Sequence, residues 1–261
     1  MRAWMHGCDG SVLLNATNGF EAEKDQIPNK SLKGFDAIEK IKSKLESVCP
    51  RIVSCSDILV LAARDSVYLS GGPFYSLRTG RRDSLTSFAQ TALDDIPAPT
   101  DPLDTFLEKF SHRNISLRET VCLFGAHSNG EVHCEFIKER FTNFNGTGQP
   151  DPTIEPGCKN TTRSKCMSDP TAFVDLKNEG AQQTGFGIHY FQGLVQNLSV
   201  LESDQELMNS EKTASWVRAY ASNQFIFMND FSSAMIKLSD LGVLTGPQLG
   251  EIRSTCSAIN Q

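Results

Sequence analysis

The 261-residue chain lacks several features that define common classes of protein. It has no apolar run near the roughly 20 residues that a membrane-spanning helix needs, and no block of basic residues, with a net charge of −6. We therefore expect no nucleic acid and no membrane surface as a main partner. Residues 1–5 have no apolar segment like that of a secretory leader, so we expect no signal peptide in this chain.

The eight cysteines contain no Cys-x-x-Cys pair, which argues against a structural zinc site. They lie at Cys8, Cys49, Cys55, Cys122, Cys134, Cys158, Cys166 and Cys256. A cytosolic enzyme can keep this many as thiols. Six Asn-x-Ser/Thr sequons instead fit an extracellular origin, although such triplets also arise by chance.

Alternation of apolar and polar residues is scarce, so few strands are expected. Helical spacing predicts helices at about 34–48, over 56–69 and along 213–238. Segments 84–100 and 143–185 are rich in turn-forming residues and are predicted to be loops. There are no repeats and no long linker, and 39% hydrophobic residues can fill the core of one large domain or of two lobes.

The clearest motif follows a predicted helix start, where Ser116 and Glu119 have the spacing of a capping box. Gly125 and Ala126 are small enough for a flat group to approach the backbone. His127 comes next, and a neutral imidazole can offer one ring nitrogen to a metal while the other is anchored. From spacing alone, a hydrogen-bonded core histidine is the commoner explanation.

A second motif lies near the start of the chain, where residues 7–11 read GCDGS. Its oxygen donors alternate at i, i+2 and i+4, a spacing that lets a tight loop wrap a hard cation such as calcium. The alternative is a solvated Gly/Asp turn.

Five segments, taken in order, resemble the plant secretory (class III) haem peroxidases. They are GCDGSVLL at 7–14, EKDQIPN at 23–29, VSCSDILVLAARD at 53–65, GAHSNGEVHC at 125–134 and SDQEL at 203–207. The similarity covers essentially the whole chain and ends in LTGPQLGEIRSTC at 244–256. It implies a mostly α, two-lobed haem-peroxidase fold that lacks its N-terminal helices, in a single domain over 1–261.

The resemblance assigns roles around a haem b group (protoporphyrin-IX iron). It makes His127 the axial ligand, Asp204 the carboxylate that holds the far nitrogen of His127, and Asn29 the residue that orients a distal histidine. Pro97 lies beside the channel where aromatic donors approach the haem edge. The implied protein is a secreted, monomeric glycoprotein that oxidises small phenolic or other reducing donors with hydrogen peroxide, and so removes peroxide under oxidative stress.

In that family an Arg and a His, four residues apart on a helix just before the calcium loop, perform the acid–base and electrostatic work on peroxide. This chain has neither at that place, and His6 lies inside the loop, where the family has a non-catalytic polar residue. We therefore expect impaired turnover. The alternatives are a non-catalytic peroxidase-like protein that binds haem or calcium, and a helical protein that binds no haem.

The resemblance also implies two calcium sites. The distal site would use the carbonyls of Met5 and Gly7, the side chains of Asp9 and Ser11, and Glu23 through water. The proximal site would keep Ser128, with Asp175 or Glu179 as further ligands. We expect weak binding at both, because Arg2 replaces a distal carboxylate and Gly187 replaces a proximal aspartate.

Two disulfides follow from the same resemblance. They are Cys55–Cys256 and Cys134–Cys166. Cys8 and Cys49 lack their family partners in this chain, and Cys122 and Cys158 have no family counterparts. Those four would be thiols.

Overall fold

The computed structural model describes residues 8–17, 21–169, 171–176 and 185–261. Within these ranges the chain forms eleven α helices and two short strands, which confirms the mostly α prediction. The helices are α1 (Phe35–Glu46), α2 (Cys55–Leu69), α3 (Ala89–Asp95), α4 (Leu103–Ser111), α5 (Leu117–Phe124), α6 (Cys134–Thr142), α7 (Pro156–Ser168), α8 (His189–Val195), α9 (Glu202–Gln205), α10 (Glu211–Ser222) and α11 (Gln224–Ser239). The strands are β1 (Glu131–His133) and β2 (Phe173–Asp175). No helix in these ranges is both long and apolar enough to cross a membrane.

Two helices lie in segments that were predicted to be loops. Helix α3 falls within 84–100, and only Ala92 of its seven residues is fully buried, so its apolar periodicity is weak. Helix α7 falls within 143–185, where Pro156 takes the first helical position and the Glu155 carboxylate accepts a hydrogen bond from the Cys158 N–H. That capping starts a helix that composition alone did not predict.

The long helix predicted over 213–238 is two helices. Asn223 has an extended backbone (φ −144°, ψ 97°) that ends α10. Its side-chain oxygen then accepts a hydrogen bond from the Ile226 N–H at 3.1 Å and so caps the start of α11. The apolar pattern continues across the break, which is why periodicity did not reveal it.

The chain divides into two compact units, in line with the expected two lobes. One comprises Met1–Ser66, Phe74–Ile96 and Met235–Gln261, and the other comprises Val67–Pro73 and Pro97–Ala234. That they make a single domain over 1–261 stays a prediction.

The first unit is held by a disulfide and a buried ion pair. Cys55 at the start of α2 is bonded to Cys256, across a sequence separation of 201 residues. The Asp57 carboxylate accepts hydrogen bonds from Arg81 Nη1 at 3.0 Å and from the Gly80 N–H at 2.6 Å. Both charged side chains are almost fully buried.

The second unit contains the antiparallel pair β1–β2, in which Val132 lies opposite Val174. The disulfide Cys134–Cys166 joins α6 to α7 beside this pair. It lies in an apolar cluster of buried side chains on α6, α7, β2 and the segments before α7 and α9. They are Ile137, Phe141, Ile154, Cys158, Val174, Val200 and Leu201.

Replacing Asp57 with Ala should lower the free energy of unfolding by about 3–5 kcal/mol, because it leaves a buried guanidinium without its counter-charge. Urea denaturation under non-reducing conditions, followed by circular dichroism, measures this. The control is Asp36→Ala, since Asp36 forms an exposed pair with Lys40 and its loss should have little effect. Equal stability of the two variants would contradict the assignment.

Candidate functional site

Helix α5 places His127. The Ser116 hydroxyl accepts from the Glu119 N–H at 3.3 Å, and the Glu119 carboxylate accepts from the Ser116 N–H at 2.7 Å, which completes the predicted capping box. After Phe124 the chain tightens into a 3-10 turn over Gly125–Ser128 that carries His127. A defined helix start thus fixes the position of the histidine eleven residues later.

Gly125 is required by packing within the protein itself. A Cβ built there would lie 2.5 Å from Phe227 Cε2 and 2.9 Å from Phe191 Cζ, distances that no side chain tolerates. The sequence analysis predicted that this glycine allows a flat group to approach the backbone. The structure shows that two phenylalanine rings of the chain already occupy that space.

His127 is anchored on one side and open on the other. Its Nδ1 lies 2.9 Å from Oδ1 of Asp204, a carboxylate on α9 that is buried. The imidazole side chain is 33% exposed, with edge contacts to the rings of Phe124 and Tyr190. No described residue hydrogen-bonds its Nε2. Because the carboxylate favours the tautomer with a proton on Nδ1, the Nε2 lone pair is free to bind a metal.

The surroundings of this pair are aromatic and neutral. Burial raises the pKa of Tyr190 well above its usual value, and the nearby Asp204 carboxylate raises it further, so the phenol keeps its proton. Asp204 is held in place through its neighbours, because the Ser203 N–H donates to the Pro99 carbonyl and Gln205 Nε2 donates to the Leu194 carbonyl. These contacts fix the carboxylate against the histidine.

The residues proposed for the proximal calcium site are only partly assembled. The buried Ser128 hydroxyl accepts from the Gly187 N–H at 3.2 Å. Gly187 therefore lies beside Ser128, as a ligand would, but it offers a donor there and no side-chain oxygen. Asp175 lies on β2, and Glu179 lies outside the described residues.

Part of the proposed distal calcium site is present as a cluster in the first unit. Ser11 donates its N–H to Asp9 Oδ1 at 3.0 Å and its hydroxyl to Glu23 Oε2 at 2.7 Å. Glu23 is fully buried, and its other oxygen, Oε1, has no hydrogen-bond partner among the described residues. Met5 and Gly7 lie outside those residues.

Burial raises the pKa of Glu23 to about 7, although the Ser11 hydroxyl acts to lower it and Asp9 raises it again. A buried carboxyl group with one oxygen lacking a donor fits either a proton or a bound cation. In the described part of the chain, no group of three or more His, Cys, Asp or Glu side chains is arranged to hold a metal. The cluster is thus an incomplete set of oxygen ligands.

Asn29 is buried next to this cluster and presents an acceptor. Its Nδ2 donates to the Glu23 carbonyl at 3.0 Å, while its Oδ1 has no hydrogen-bond partner among the described residues. Such an atom is uncommon in a folded protein. In the resemblance, Asn29 is the residue that orients a distal histidine.

Pro97 lies in the turn between α3 and α4, the segment beside which the resemblance places the approach of aromatic donors. There, in the second unit, is a cavity of about 540 Å³. Its lining includes Pro99, Phe136 and Phe144, and also Arg140, a buried side chain paired with Asp151 at 3.0 Å. The sequence analysis missed this ion pair, because arginine and aspartate eleven residues apart form no motif.

Comparison with known proteins points to one family. The family model "Peroxidase" matches residues 2–223. The chain is 45% identical to Putative Peroxidase 48 of Arabidopsis thaliana, over 97% of this chain and 71% of that protein. It is 40% identical to Peroxidase 10 of Arabidopsis thaliana, over 97% of this chain and 73% of that protein. It is 39% identical to Peroxidase C2 of Armoracia rusticana, over 98% of this chain and 75% of that protein.

A mostly helical fold with a carboxylate-anchored histidine is characteristic of haem peroxidases. The chain belongs to the peroxidase family, within the plant secretory branch that its motifs resembled. By family it is therefore a peroxidase enzyme, an oxidoreductase that takes hydrogen peroxide and a reducing donor as substrates.

Replacing Glu23 with Gln should stabilise the protein at pH 8 when calcium is removed by a chelator. The raised pKa means that the folded state holds a proton that the unfolded state releases, so wild-type stability is full below about pH 4.5 and declines until the pH passes about 7. Gln carries no charge and avoids this loss, so the variant should gain roughly 2–3 kcal/mol at pH 8 and almost nothing at pH 4.

Thermal unfolding across this pH range checks the prediction, with the exposed Glu21→Gln as the matched control. If wild type and Glu23→Gln have the same profile in chelator, the buried carboxyl group does not titrate as described.

Proposed function

We propose that this chain binds haem b through Nε2 of His127 and, with haem bound, oxidises small phenolic donors at the expense of hydrogen peroxide. The observation that carries the proposal is the 2.9 Å contact between His127 Nδ1 and a buried Asp204, together with a second ring nitrogen that no described residue uses. Because the imidazole is 33% exposed, this nitrogen is accessible to a ligand.

Haem held by His127 would supply a redox-active iron for the oxidation of organic donors by peroxide. The contribution of the chain on this side is electrostatic. Asp204 holds the Nδ1 proton and pushes electron density into the ring, which makes Nε2 a stronger donor and favours the oxidised metal. Phe124 and Tyr190 keep the ring in one orientation by their edge contacts.

In the resemblance Asn29 orients a distal histidine, and the same positioning role is proposed for it here. Its buried Oδ1 is ready to accept a hydrogen bond, and an imidazole N–H placed there would be held in the tautomer that leaves its other nitrogen free as a base.

Donor binding is proposed near Pro97. The turn that Pro97 begins is pinned to α9 by the Ser203–Pro99 hydrogen bond, and the neighbouring cavity presents Phe136 and Phe144. Aromatic walls with a nearby guanidinium suit a phenol, which offers both a ring face and an oxygen.

Calcium is proposed at the distal cluster, where it would complete the coordination of Asp9, Ser11 and Glu23. The fully buried Glu23 with its unpartnered oxygen supports this. The proximal site is proposed only as a weak one, since Gly187 contributes no side-chain oxygen beside Ser128.

An extracellular, monomeric and glycosylated protein is proposed as the setting. Two disulfides are formed, the sequence holds six sequons, and the secretory peroxidases that resemble the chain work in such a compartment. Peroxide removal under oxidative stress is the corresponding role.

A second candidate is a non-catalytic protein that binds haem or calcium. Asn29 favours it, because its Oδ1 finds no donor among the described residues. The two candidates differ in turnover and agree in haem binding, so one set of measurements separates them.

Replacing His127 with Ala should abolish axial ligation, weaken haem binding by about 10- to 100-fold and remove guaiacol oxidation. Haem titration of the refolded protein, followed by the Soret band, and a guaiacol assay with hydrogen peroxide measure these effects. The control is His112→Ala, an exposed histidine on the surface whose loss should change nothing. Haem binding without guaiacol turnover would select the second candidate, and equal haem retention by both variants would overturn the proposal.

Replacing Asp204 with Asn should keep the ligand and weaken its donor strength. The iron–histidine stretching frequency should fall, the reduction potential of the haem should rise, and turnover should drop by about tenfold or more. Resonance Raman spectroscopy and potentiometry test this, with the exposed Asp94→Asn as control. An unchanged frequency would mean that Asp204 does not tune His127.

A further inference from the structure

Four aromatic side chains form a continuous line of ring contacts that ends at His127. The ring of Trp216 lies 5.9 Å from that of Tyr220, which lies 5.1 Å from Phe191. Phe191 lies 5.0 Å from Tyr190, and Tyr190 lies 6.2 Å from the imidazole of His127, all measured between ring centroids. Because electron transfer through protein falls steeply with distance, short ring-to-ring steps are the arrangement that carries an electron furthest.

The outer end of this line meets solvent. Trp216 lies on α10 and is partly exposed, whereas Tyr220, one helical turn later, is fully buried. The guanidinium of Arg118 covers one face of the indole, with its central carbon 4.4 Å from the ring centroid. A donor at the surface can therefore reach Trp216 without entering any cavity.

The charge beside Trp216 is balanced. Arg118 donates to both oxygens of Asp230, each at 2.8 Å, so the carboxylate offsets a cation that would otherwise oppose removal of an electron from the indole. This pairing keeps the indole oxidisable.

Tyr220, the second ring in the line, has a proton acceptor within hydrogen-bond distance. Tyr220 donates its hydroxyl to Asp230 Oδ2 at 2.7 Å. When a phenol loses an electron it becomes strongly acidic, and a hydrogen-bonded carboxylate can take the proton at once and return it on reduction. The step then leaves no new charge in the aromatic core, where an unbalanced charge would be costly. Phe191, which has no such chemistry, serves as the contact between the two tyrosines.

Packing alone explains the buried rings but not the features of the outer end. A core needs neither a partly exposed tryptophan in line with a buried tyrosine nor a carboxylate shared between the tyrosine hydroxyl and the arginine over the indole. The exposed indole and the shared carboxylate occur together at the outer end of the line of rings, and the other end of that line is His127, the proposed haem ligand.

We propose that Trp216 is a second oxidation site, at which phenolic donors too large to reach the haem give up an electron that passes through Tyr220, Phe191 and Tyr190 to the His127 side. The inference rests on the proposed peroxidase function. In the balanced reaction, one hydrogen peroxide and two phenols give two phenoxyl radicals and two waters. Each phenol loses one electron and one proton, and peroxide accepts both pairs as its O–O bond breaks.

The first experiment uses the haem-loaded chain, hydrogen peroxide and a radical trap, with peptide mass spectrometry to locate the adduct. Adducts are expected at Trp216 or Tyr220 in the wild type. Trp216→Phe keeps the ring contact but is hard to oxidise, so it should remove the adduct at 216. Tyr68→Phe, at an exposed tyrosine away from this line, is the matched control and should leave the adducts unchanged.

The same variants are compared with two donors, free guaiacol and a methoxyphenol coupled to a soluble polymer. Trp216→Phe should reduce oxidation of the polymer-bound phenol by about tenfold and leave guaiacol within about twofold of wild type. Guaiacol turnover with no adduct at 216 or 220, and with unchanged polymer oxidation, would overturn this inference while the proposed function stands. Absence of guaiacol turnover in the wild type would instead count against the proposed function.

A third measurement is independent of haem turnover. Azide radicals from pulse radiolysis oxidise tryptophan selectively, and transfer to tyrosine is visible as conversion of the indolyl signal to a phenoxyl signal. With Trp4→Phe as the common background, this conversion should be fast in the otherwise unchanged chain and slowed by about tenfold or more in Tyr220→Phe. Equal conversion rates in the two proteins would mean that Trp216 does not pass its radical to Tyr220, and this result would overturn the inference.

Discussion

The hydrogen bond between His127 and Asp204 is the interaction around which the second unit is organised. Its two residues lie 77 positions apart, so the geometry depends on everything that fixes their helices. The capping box of α5 determines where the histidine turn falls. The short helix α9 carries the carboxylate, and it is held by two hydrogen bonds, from the Ser203 N–H to the Pro99 carbonyl and from the Gln205 side chain to the Leu194 carbonyl. Contacts outside the pair thus position both partners of this 2.9 Å hydrogen bond.

In the first unit, some buried polar side chains have a full set of hydrogen-bond donors, whereas two buried oxygens have none among the described residues. Asp57 is satisfied by Arg81 and the Gly80 N–H, and Asp83 accepts backbone N–H groups from Cys55, Ser56 and Arg253. These carboxylates are structural, and each has a full set of donors. Glu23 Oε1 and Asn29 Oδ1 are buried without one. Burial of an unpaired acceptor costs free energy. Two such oxygens close together therefore indicate side chains that bind a further donor or a cation.

The sequence predicted local features well where a named side chain enforces them. The capping box at Ser116 and the mostly helical fold are of this kind, and the resemblance supplied the two disulfides. Helix α7 was missed because its start depends on Pro156 and a Glu155 cap within a polar segment, which composition favours as a loop. The break at Asn223 was missed because the apolar pattern continues through it. The small size of Gly125 was attributed to the approach of a flat group. The structure shows that Phe191 and Phe227 pack against it, and only the fold reveals this contact.

The line of rings marks the limit of what spacing can predict. Trp216 and Tyr220 are four residues apart, so a helix places them on one face, and Tyr190 and Phe191 are consecutive. Neither pattern says that Phe191 will touch Tyr220. That contact depends on Phe191 and Phe227 packing where Gly125 has no side chain, 2.9 Å and 2.5 Å from its hypothetical Cβ. Because Gly125 has no side chain, Phe191 can pack beside the turn that carries His127 and lie between Tyr190 and Tyr220. One packing constraint thus shapes both the proposed haem ligand and the line of rings that leads to it.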